Sequence, residues 1–202
     1  MKLYFSPGAC SLAPHIVLRE LGLPFDLVRM VAKTHTLEDG SDYYAINPKG
    51  SVPALGLDDG QVLTEVAVLL QYLADQAPAA GLLPPAGTLA RTRVQEWLNF
   101  IATDVHKQVS PLFIAKLNDE ARAVIKDRLS QRLGFAEKRL AAAPYLMGDK
   151  PCVADFYLFV VLSWMKRLEV DVSRLPALGA FSARIKERPA VQEALKAEGL
   201  SP

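Results

Sequence analysis

The stretch SVPALGLDDGQVLTEVAVLLQYLADQ, residues 51–76, carries two strand patterns, a turn and a helix pattern in succession. Two short apolar runs flank the pair Asp59-Gly60, and Asp-Gly between such runs is typical of a β-hairpin. Glu65 then opens a segment whose apolar residues recur at the spacing of one helical face. Since proline cannot donate to a strand ladder, Pro53 is expected at the start or edge of its strand. The stretch therefore predicts a β-hairpin followed directly by a helix.

A strand–helix–strand pattern precedes this hairpin. The runs KLYF (residues 2–5) and FDLVRMV (residues 25–31) are typical of strands, and SLAPHIVLREL (residues 11–21) between them has helical periodicity that stops at Gly22. Strands that alternate with a helix in this way are typical of a βαβ unit. The first part of the chain is therefore expected to be an α/β unit.

Strand patterns end at residues 77–90, a segment rich in proline, glycine and alanine that we interpret as a linker. Only helix patterns follow. The predicted helices cover residues 88–113, 119–142, 154–168, 176–188 and 190–198. An α/β half followed by an all-helical half predicts an α+β, two-domain architecture.

Composition narrows the function classes. The chain has 23 basic and 22 acidic residues, a net charge of +1, so no strong field favours nucleic acid or an anionic membrane. The most apolar run, residues 157–165, is far shorter than the ~20 residues of a membrane-spanning helix, and we interpret it as a buried core helix.

The first residues lack the long apolar core of a signal peptide, and two cysteines without metal-like spacing favour the reducing cytoplasm. No cysteine is spaced with the three histidines as metal ligands would be, so no metal site is expected.

Cys10 lies where the first strand pattern gives way to the first helix pattern. A helix N-terminus stabilises an anion, so a cysteine there can have its pKa lowered from ~8.5 into the range ~3.5–7.5. Ser11, Leu12 and Ala13 follow, so no second cysteine stands at a C-x-x-C spacing. The expected reaction partner is therefore a small external thiol. The alternative is an inert buried cysteine.

The hairpin and the helix after it have features suited to a peptide-like ligand. A cis Val52-Pro53 bond would turn the Val52 backbone groups outward, where they could pair with an extended ligand; an ordinary trans edge proline is the alternative. The Glu65 carboxylate could hold a ligand ammonium while the helix N–H groups hold a carboxylate. A simple first-turn acid that suits the helix dipole is the alternative.

A third group of polar residues lies on the long helix predicted after the linker. Asn99, Thr103 and His106 are spaced at i, i+4 and i+7, so they share a helical face, and Asp104 lies beside them. Histidine can donate a hydrogen bond to an anion or a thiolate. A solvated helix face is the alternative interpretation.

Five stretches in order resemble the bacterial beta-class glutathione S-transferases: PGACSLAPHI, YYAINPKGSVPAL, LTE before a helix, QYLAD and EWLNFIATDVHK. The resemblance covers essentially the whole chain. It implies a thioredoxin-like N-terminal domain (βαβαββα) over residues 1–80, a linker at 81–87 and an all-α helical bundle domain over 88–202. It also implies a homodimer with two glutathione sites.

The resemblance implies roles for residues of the N-terminal domain. Cys10 would contact or covalently bind the glutathione sulfur. Val52, before a cis Pro53, would pair its backbone with the cysteinyl unit of glutathione. Glu65 and the N–H of Val66 would hold the γ-glutamyl end.

On the helical side, Asn99, Thr103, Asp104 and His106 match the site residues of the family, and some would reach glutathione from the partner subunit. His106 would lie near Cys10 and help activate the thiol. Ser11 is expected to be a further hydrogen-bond donor.

Three positions depart from the family pattern. Val66 stands where a small residue is usual, and His35 stands where the family has a lysine for the glycyl carboxylate of glutathione. Both changes are expected to weaken glutathione binding. Cys152 stands where Ser or Thr usually caps a helix that has Asp155 three residues on, and a cysteine cap is expected to weaken that helix start by about 1 kcal/mol.

The resemblance, together with these residues, predicts a cytoplasmic, homodimeric detoxification enzyme that conjugates the thiol of its co-substrate glutathione to small hydrophobic electrophiles. The electrophile pocket is expected between the domains, near Pro7, Leu112, Phe113 and Trp164.

Two further functions stay open from the sequence. Cys10 could support a thiol–disulfide or peroxidase side activity. Alternatively, Val66 and His35 could have weakened the glutathione site enough to leave a non-catalytic ligand-binding or protein-docking member.

Overall fold

The computed structural model describes residues 1–201 of the chain. The chain forms two compact units. The first contains Met1–Gly81 together with the C-terminal segment from Lys186 onward, and the second is Leu82–Ile185. The predicted domains, residues 1–80 and 88–202 with a linker at 81–87, stay predictions, and the predicted end at residue 202 lies outside the described residues.

The first unit is built on a five-stranded sheet in the order β3-β2-β1-β4-β5. Its strands are β1 Lys2–Phe5, β2 Asp26–Val31, β3 Thr36–Leu37, β4 Ala54–Gly56 and β5 Val62–Thr64. The first two strands are parallel and the other neighbours are antiparallel. Helix α1 (Leu12–Glu20) connects the parallel pair, as the βαβ pattern predicts.

The hairpin and its helix also form as predicted. Gly60 adopts a φ of +86° in the turn between β4 and β5, where a residue without a side chain is favoured. Helix α2 (Val66–Gln76) begins two residues after β5. Between the β2–β3 pair and the hairpin, the helix implied by the βαβαββα order is only the single 3₁₀ turn Tyr43–Ala45, which Asp42 caps. The thioredoxin-like fold of this unit is confirmed.

The second unit is helical. Its segments are α3 Leu89–Phe100, a π-helical turn Ile101–His106, α4 Lys107–Val109, a 3₁₀ turn Ser110–Phe113, α5 Asp119–Ala142, α6 Val153–Ser163 and α7 Pro176–Lys186. The continuous helix predicted over residues 88–113 is therefore wrong in its interior, where the wider π turn interrupts it. The helix predicted over 154–168 ends at Ser163. No helix among residues 1–201 combines the length and the apolar character that crossing a membrane requires.

The start of α6 keeps its cap although a cysteine stands at the cap position. The Asp155 carboxylate accepts the N–H of Cys152 at 2.8 Å and that of Leu146 at 2.9 Å, while the Cys152 sulfur faces the Asp155 N–H. Burial raises the pKa of Asp155 to about 6, so the carboxylate is ionised at neutral pH. Burial also raises the pKa of Cys152, which suits a structural and not a catalytic thiol.

Helix α8 (Pro189–Ala197) follows the helical unit in sequence but belongs to the first unit, where it packs on α1. The buried carboxylate of Glu198, just beyond α8, accepts the Gly8 N–H at 2.9 Å and lies 2.8 Å from His15 Nδ1. Because Arg19 Nε donates to His15 Nε2 at 2.9 Å, the His15 proton lies on Nδ1 and points at Glu198. The end of α8 is thereby joined to the loop before Cys10.

Two further ion pairs join the same helices. Arg188 and Glu20 form a two-point pair with both N···O distances at 2.6 Å, and Arg19 lies 3.2 Å from Glu193. The Glu193 side chain is 64% exposed, whereas that of Glu198 is fully buried. The contact of Glu198 is therefore expected to matter more for stability, since exposed pairs contribute little.

We expect Glu198→Gln to lower the free energy of unfolding by about 1–3 kcal/mol, because the Gly8 N–H and the His15 N–H bond to different carboxylate oxygens and a glutamine has only one side-chain oxygen. Glu193→Gln is the matched control on the same helix, with an expected loss below about 1 kcal/mol. Urea unfolding of both variants measures the difference. Equal losses in the two variants would contradict the role given to Glu198.

Candidate active site

Cys10 lies in the loop between β1 and α1, directly before the helix start. Ser11 supports this loop from inside: its buried hydroxyl accepts the Ser6 N–H at 3.2 Å and donates to the Ser6 carbonyl at 3.3 Å. Gly8 has a φ of +68° and is the residue whose N–H Glu198 accepts. The Ser11 hydroxyl is thus used within the loop, and its predicted role as a donor to the glutathione sulfur stays a prediction.

The Cys10 thiol donates to the carbonyl of Val52 across a distance of 3.2 Å. Burial raises the pKa of Cys10 to about 12, although the N–H groups of Cys10 and Ser11 at the helix start oppose this effect. The expectation of a lowered pKa is therefore wrong, since desolvation outweighs the helix N-terminus. At neutral pH Cys10 is a protonated thiol and a hydrogen-bond donor.

The segment opposite Cys10 contains a cis peptide bond between Val52 and Pro53, as the resemblance implies. Pro53 is buried and Val52 is partly buried. The Tyr43 hydroxyl and the Asn47 amide both donate to the carbonyl of Ser51, at 2.9 and 2.7 Å. These two hydrogen bonds fix the backbone just before Val52. The Val52 carbonyl and the Cys10 thiol therefore lie side by side in one unit.

Glu65 joins β5 to α2 with a φ of +72°, a region that residues with side chains rarely adopt. Its side chain is 65% exposed and pairs with Lys49 Nζ, which also donates to Thr64 Oγ1 at 3.0 Å. Val66, the first residue of α2, is buried. Glu65 therefore directly precedes α2, as the sequence predicts, and its carboxylate pairs with Lys49 without capping the helix.

Lys49 is a charged neighbour of this site that sequence reasoning missed. It lies in the turn before Val52, far from Glu65 in sequence, and only the fold of the hairpin brings the two together. Its one sequence signal is the position next to Gly50 in the Pro-Lys-Gly turn.

The His35 side chain has two contacts, with the Gly50 carbonyl and with the Tyr44 ring. Its Nδ1 lies 2.9 Å from the Gly50 carbonyl, and because a carbonyl only accepts, Nδ1 carries the proton. The Tyr44 ring lies 4.9 Å from the imidazole, and a side chain added at Gly50 would meet that tyrosine ring at 2.5 Å. The second nitrogen, Nε2, is the one left to meet a ligand.

In the second unit, Asn99, Thr103 and Asp104 are linked to one another. Thr103 Oγ1 lies 2.9 Å from both the Asn99 carbonyl and Asp104 Oδ2, which share its single proton, and Asp104 also pairs with Arg132 of α5 at 3.3 Å. The inference of a shared face assumed α-helical spacing from Asn99 to His106. The π turn between them departs from that spacing, so the assumption is wrong. Their contacts with glutathione stay predictions.

His106 ends the π turn and is held by two aromatic residues. Its Nδ1 lies 2.7 Å from the Tyr157 hydroxyl oxygen, and the Trp164 ring lies 5.1 Å away. Burial, together with the charge of Lys107, lowers the pKa of His106 to about 4, so the imidazole is neutral at physiological pH. Tyr157 is a second residue that sequence reasoning missed, because its position in a uniformly apolar run indicates only core packing.

Two of the predicted pocket residues form an aromatic cluster with His106. Phe113 lies 5.6 Å from Trp164, which in turn contacts His106, and the Arg167 guanidinium lies over the Phe113 ring at 5.7 Å. Phe113 is 44% exposed, and Leu112 beside it is buried. Pro7 belongs to the other unit. Among residues 1–201 no cluster of His, Cys, Asp or Glu is arranged to hold a metal ion.

The raised pKa of Cys10 gives a chemical test. We expect alkylation of Cys10 by iodoacetamide to be slow at pH 7 and to keep rising up to about pH 10 without a plateau, because only the thiolate reacts. The Cys10→Ser variant measures the background from Cys152, the other free cysteine. A plateau with an apparent pKa below ~8.5, the ordinary cysteine value, would contradict the protonated thiol.

Comparison with known proteins gives family matches in both units. The family model for the N-terminal domain of glutathione S-transferase matches residues 8–76, and the model for the C-terminal domain matches residues 103–198. Glutathione S-transferase GstA of Escherichia coli O157:H7 is 45% identical over 99% of this chain and 100% of its own length.

Solved structures similar to this chain are also glutathione S-transferases. A sphingomonad glutathione S-transferase complexed with glutathione is 46% identical with a TM-score of 0.95, and the match covers all of both chains. The bacterial beta-class glutathione S-transferase of Sphingomonas chungbukensis is 47% identical with a TM-score of 0.96, again over all of both chains. With both domain models matched in order and the same fold along the whole length, the chain belongs to the glutathione S-transferase family and resembles its bacterial beta class.

Proposed function

We propose that the protein is a glutathione transferase that conjugates the glutathione thiol to small hydrophobic electrophiles. One observation carries the proposal: a protonated Cys10 thiol lies against the Val52 carbonyl at the start of α1. A peptide-like ligand that pairs with the Val52 backbone would place its own sulfur beside this donor. The relatives' names and the glutathione in the sphingomonad structure support the same ligand.

The first unit supplies groups for each end of glutathione. The Val52 backbone would pair with the cysteinyl unit, and Glu65 would hold the γ-glutamyl ammonium. The N–H of Val66 at the start of α2 would bind the γ-glutamyl carboxylate, because a helix N-terminus favours an anion. His35 uses its Nδ1–H on the Gly50 carbonyl, so Nε2 of the neutral ring is an acceptor and could donate to the glycyl carboxylate only when it too is protonated.

The chemistry requires a thiolate, because a free thiol is only slightly ionised at neutral pH. The glutathione thiol would lose its proton to water, and its sulfur would attack the electrophilic carbon while the leaving group departs. Cys10 and His106 are the proposed donors to the sulfur, and Ser11 supports the loop that carries Cys10. The aromatic cluster of Phe113 and Trp164 is the proposed apolar surface for the electrophile.

A homodimer is part of the proposal, with Asn99, Thr103 and Asp104 reaching the glutathione bound by the partner subunit. A cytoplasmic location and a role in detoxification are proposed as well. Both cysteines are free, which suits a reducing compartment.

The Cys10-dependent redox side activity is a weaker candidate. Thiol–disulfide exchange needs a thiolate as the attacking group, and the raised pKa of Cys10 leaves very little thiolate at neutral pH. Conjugation uses the thiolate of glutathione, so the protonated Cys10 favours conjugation over redox chemistry.

The direct test is glutathione-dependent conjugation of a chromogenic aryl halide. We expect a rate above the uncatalysed background that saturates with glutathione. No such rate across several electrophiles would contradict the proposal. If the folded dimer also failed to bind immobilised glutathione, and Val66→Ser restored that binding, the non-catalytic alternative would replace it.

The backbone of Glu65 gives a second prediction. Glu65→Gly and Glu65→Ala both remove the carboxylate, so both should weaken glutathione binding by tenfold or more, roughly one charge-assisted hydrogen bond. Only glycine relieves the positive φ, so Glu65→Gly should be more stable than Glu65→Ala by about 1 kcal/mol. Calorimetric titration and thermal unfolding measure the two effects. Equal stability of the variants, or binding like the wild type, would refute this account of Glu65.

A further inference from the structure

Tyr157 on α6 is buried with only 2% of its surface exposed, and its hydroxyl meets the imidazole of His106. The two rings are perpendicular, with centroids 5.8 Å apart, and Trp164 lies against the imidazole at 5.1 Å. Nδ1 of His106 is therefore engaged, and Nε2 is the nitrogen with which this histidine can meet a ligand.

The hydrogen bond has a preferred direction. A neutral imidazole has one N–H and one acceptor nitrogen, and a phenol can donate or accept. The two atoms lie 2.7 Å apart, a length that either direction allows. A phenol is the stronger acid of the two groups, and an imidazole nitrogen is the better acceptor. This difference makes Tyr157 the donor and Nδ1 the acceptor.

We propose that Tyr157 is a positioning residue that holds His106 in the Nε2–H tautomer, so that His106 is a hydrogen-bond donor toward the ligand sulfur and not a general base. The inference rests on the proposed glutathione transferase function. It assigns a role to a core tyrosine that would otherwise only fill space.

The tautomer decides what His106 does to a thiol. With its proton on Nε2, a neutral His106 donates to the thiolate and stabilises it, and the thiol proton goes to water. With its proton on Nδ1, the Nε2 lone pair would face the thiolate and repel it. Burial first, and then the charge of Lys107, lower the pKa of His106, so this neutral form persists across the physiological range.

Nitrogen NMR of protein with ¹⁵N-labelled histidine reports the tautomer of each imidazole. The chain has three histidines, so the spectrum contains few signals. His15 and His35 both carry the proton on Nδ1, as their contacts with Arg19 and with the Gly50 carbonyl require. We expect His106 alone to show the opposite, Nε2–H pattern. In Tyr157→Phe, the signals of His106 should move to a mixture of tautomers while those of His15 and His35 stay unchanged, which also shows that the variant is folded.

Kinetics give the second readout. Tyr157→Phe should lower kcat about tenfold, the value of one hydrogen bond of about 1.4 kcal/mol, with the KM for glutathione within about twofold of the wild type. Tyr145→Phe is the matched control, the same hydroxyl deletion elsewhere in the helical unit, and should leave kcat unchanged. A general loss of stability would change both parameters without changing the His106 tautomer.

Each outcome is decisive. An Nδ1–H pattern for His106 in the wild type overturns the proposal without any variant. An unchanged tautomer and kcat in Tyr157→Phe also overturns it. A wild-type protein that shows the Nε2–H pattern but conjugates no electrophile refutes the proposed transferase function and still supports the positioning by Tyr157.

Discussion

The buried carboxylate of Glu198 is the constraint on which the thiol site of the first unit depends. It accepts the N–H of Gly8, two residues before Cys10, and the Nδ1–H of His15, whose tautomer is set by the hydrogen bond from Arg19. In sequence, the whole helical unit, Leu82–Ile185, lies between Glu198 and these partners. The last helix therefore completes the thioredoxin-like unit, and the position of the Cys10 loop relies on residues at the far end of the sequence.

Both candidate donors are uncharged at neutral pH. Burial raises the pKa of Cys10 to about 12 and lowers that of His106 to about 4. This protonation state suits a protein that stabilises the thiolate of glutathione. A protonated thiol and a neutral imidazole N–H can both donate hydrogen bonds to the thiolate, and neither group is itself an anion. An anionic Cys10 would repel the glutathione thiolate. The absence of a second cysteine at a C-x-x-C spacing fits the same division of roles, in which the protein supplies hydrogen bonds and glutathione supplies the nucleophile.

Local patterns predicted the fold well, because the deciding signals are local. The Asp59-Gly60 turn fixed the hairpin, and the apolar run of α6 identified the buried core helix. The π turn Ile101–His106 was not predicted, because its wider hydrogen-bond spacing has no simple residue signature. The site was predicted as a set of residues but not as an electrostatic environment. The pKa of Cys10 depends on desolvation in the folded protein, which outweighs the N–H groups of Cys10 and Ser11, and the pairing of Lys49 with Glu65 depends on the folded hairpin.

The central claim is that neutral donors of the protein stabilise the thiolate of glutathione while Cys10 stays protonated. The ultraviolet absorbance of thiolate, followed during a pH titration of the protein with and without glutathione, tests it most directly. The account predicts that the complex gains one thiolate per site at least one pH unit below the ~8.5 of an ordinary cysteine thiol, and that the protein alone gains none in that range. A thiolate signal in the protein alone that disappears in Cys10→Ser, or a complex that titrates at the value of free glutathione, would contradict it.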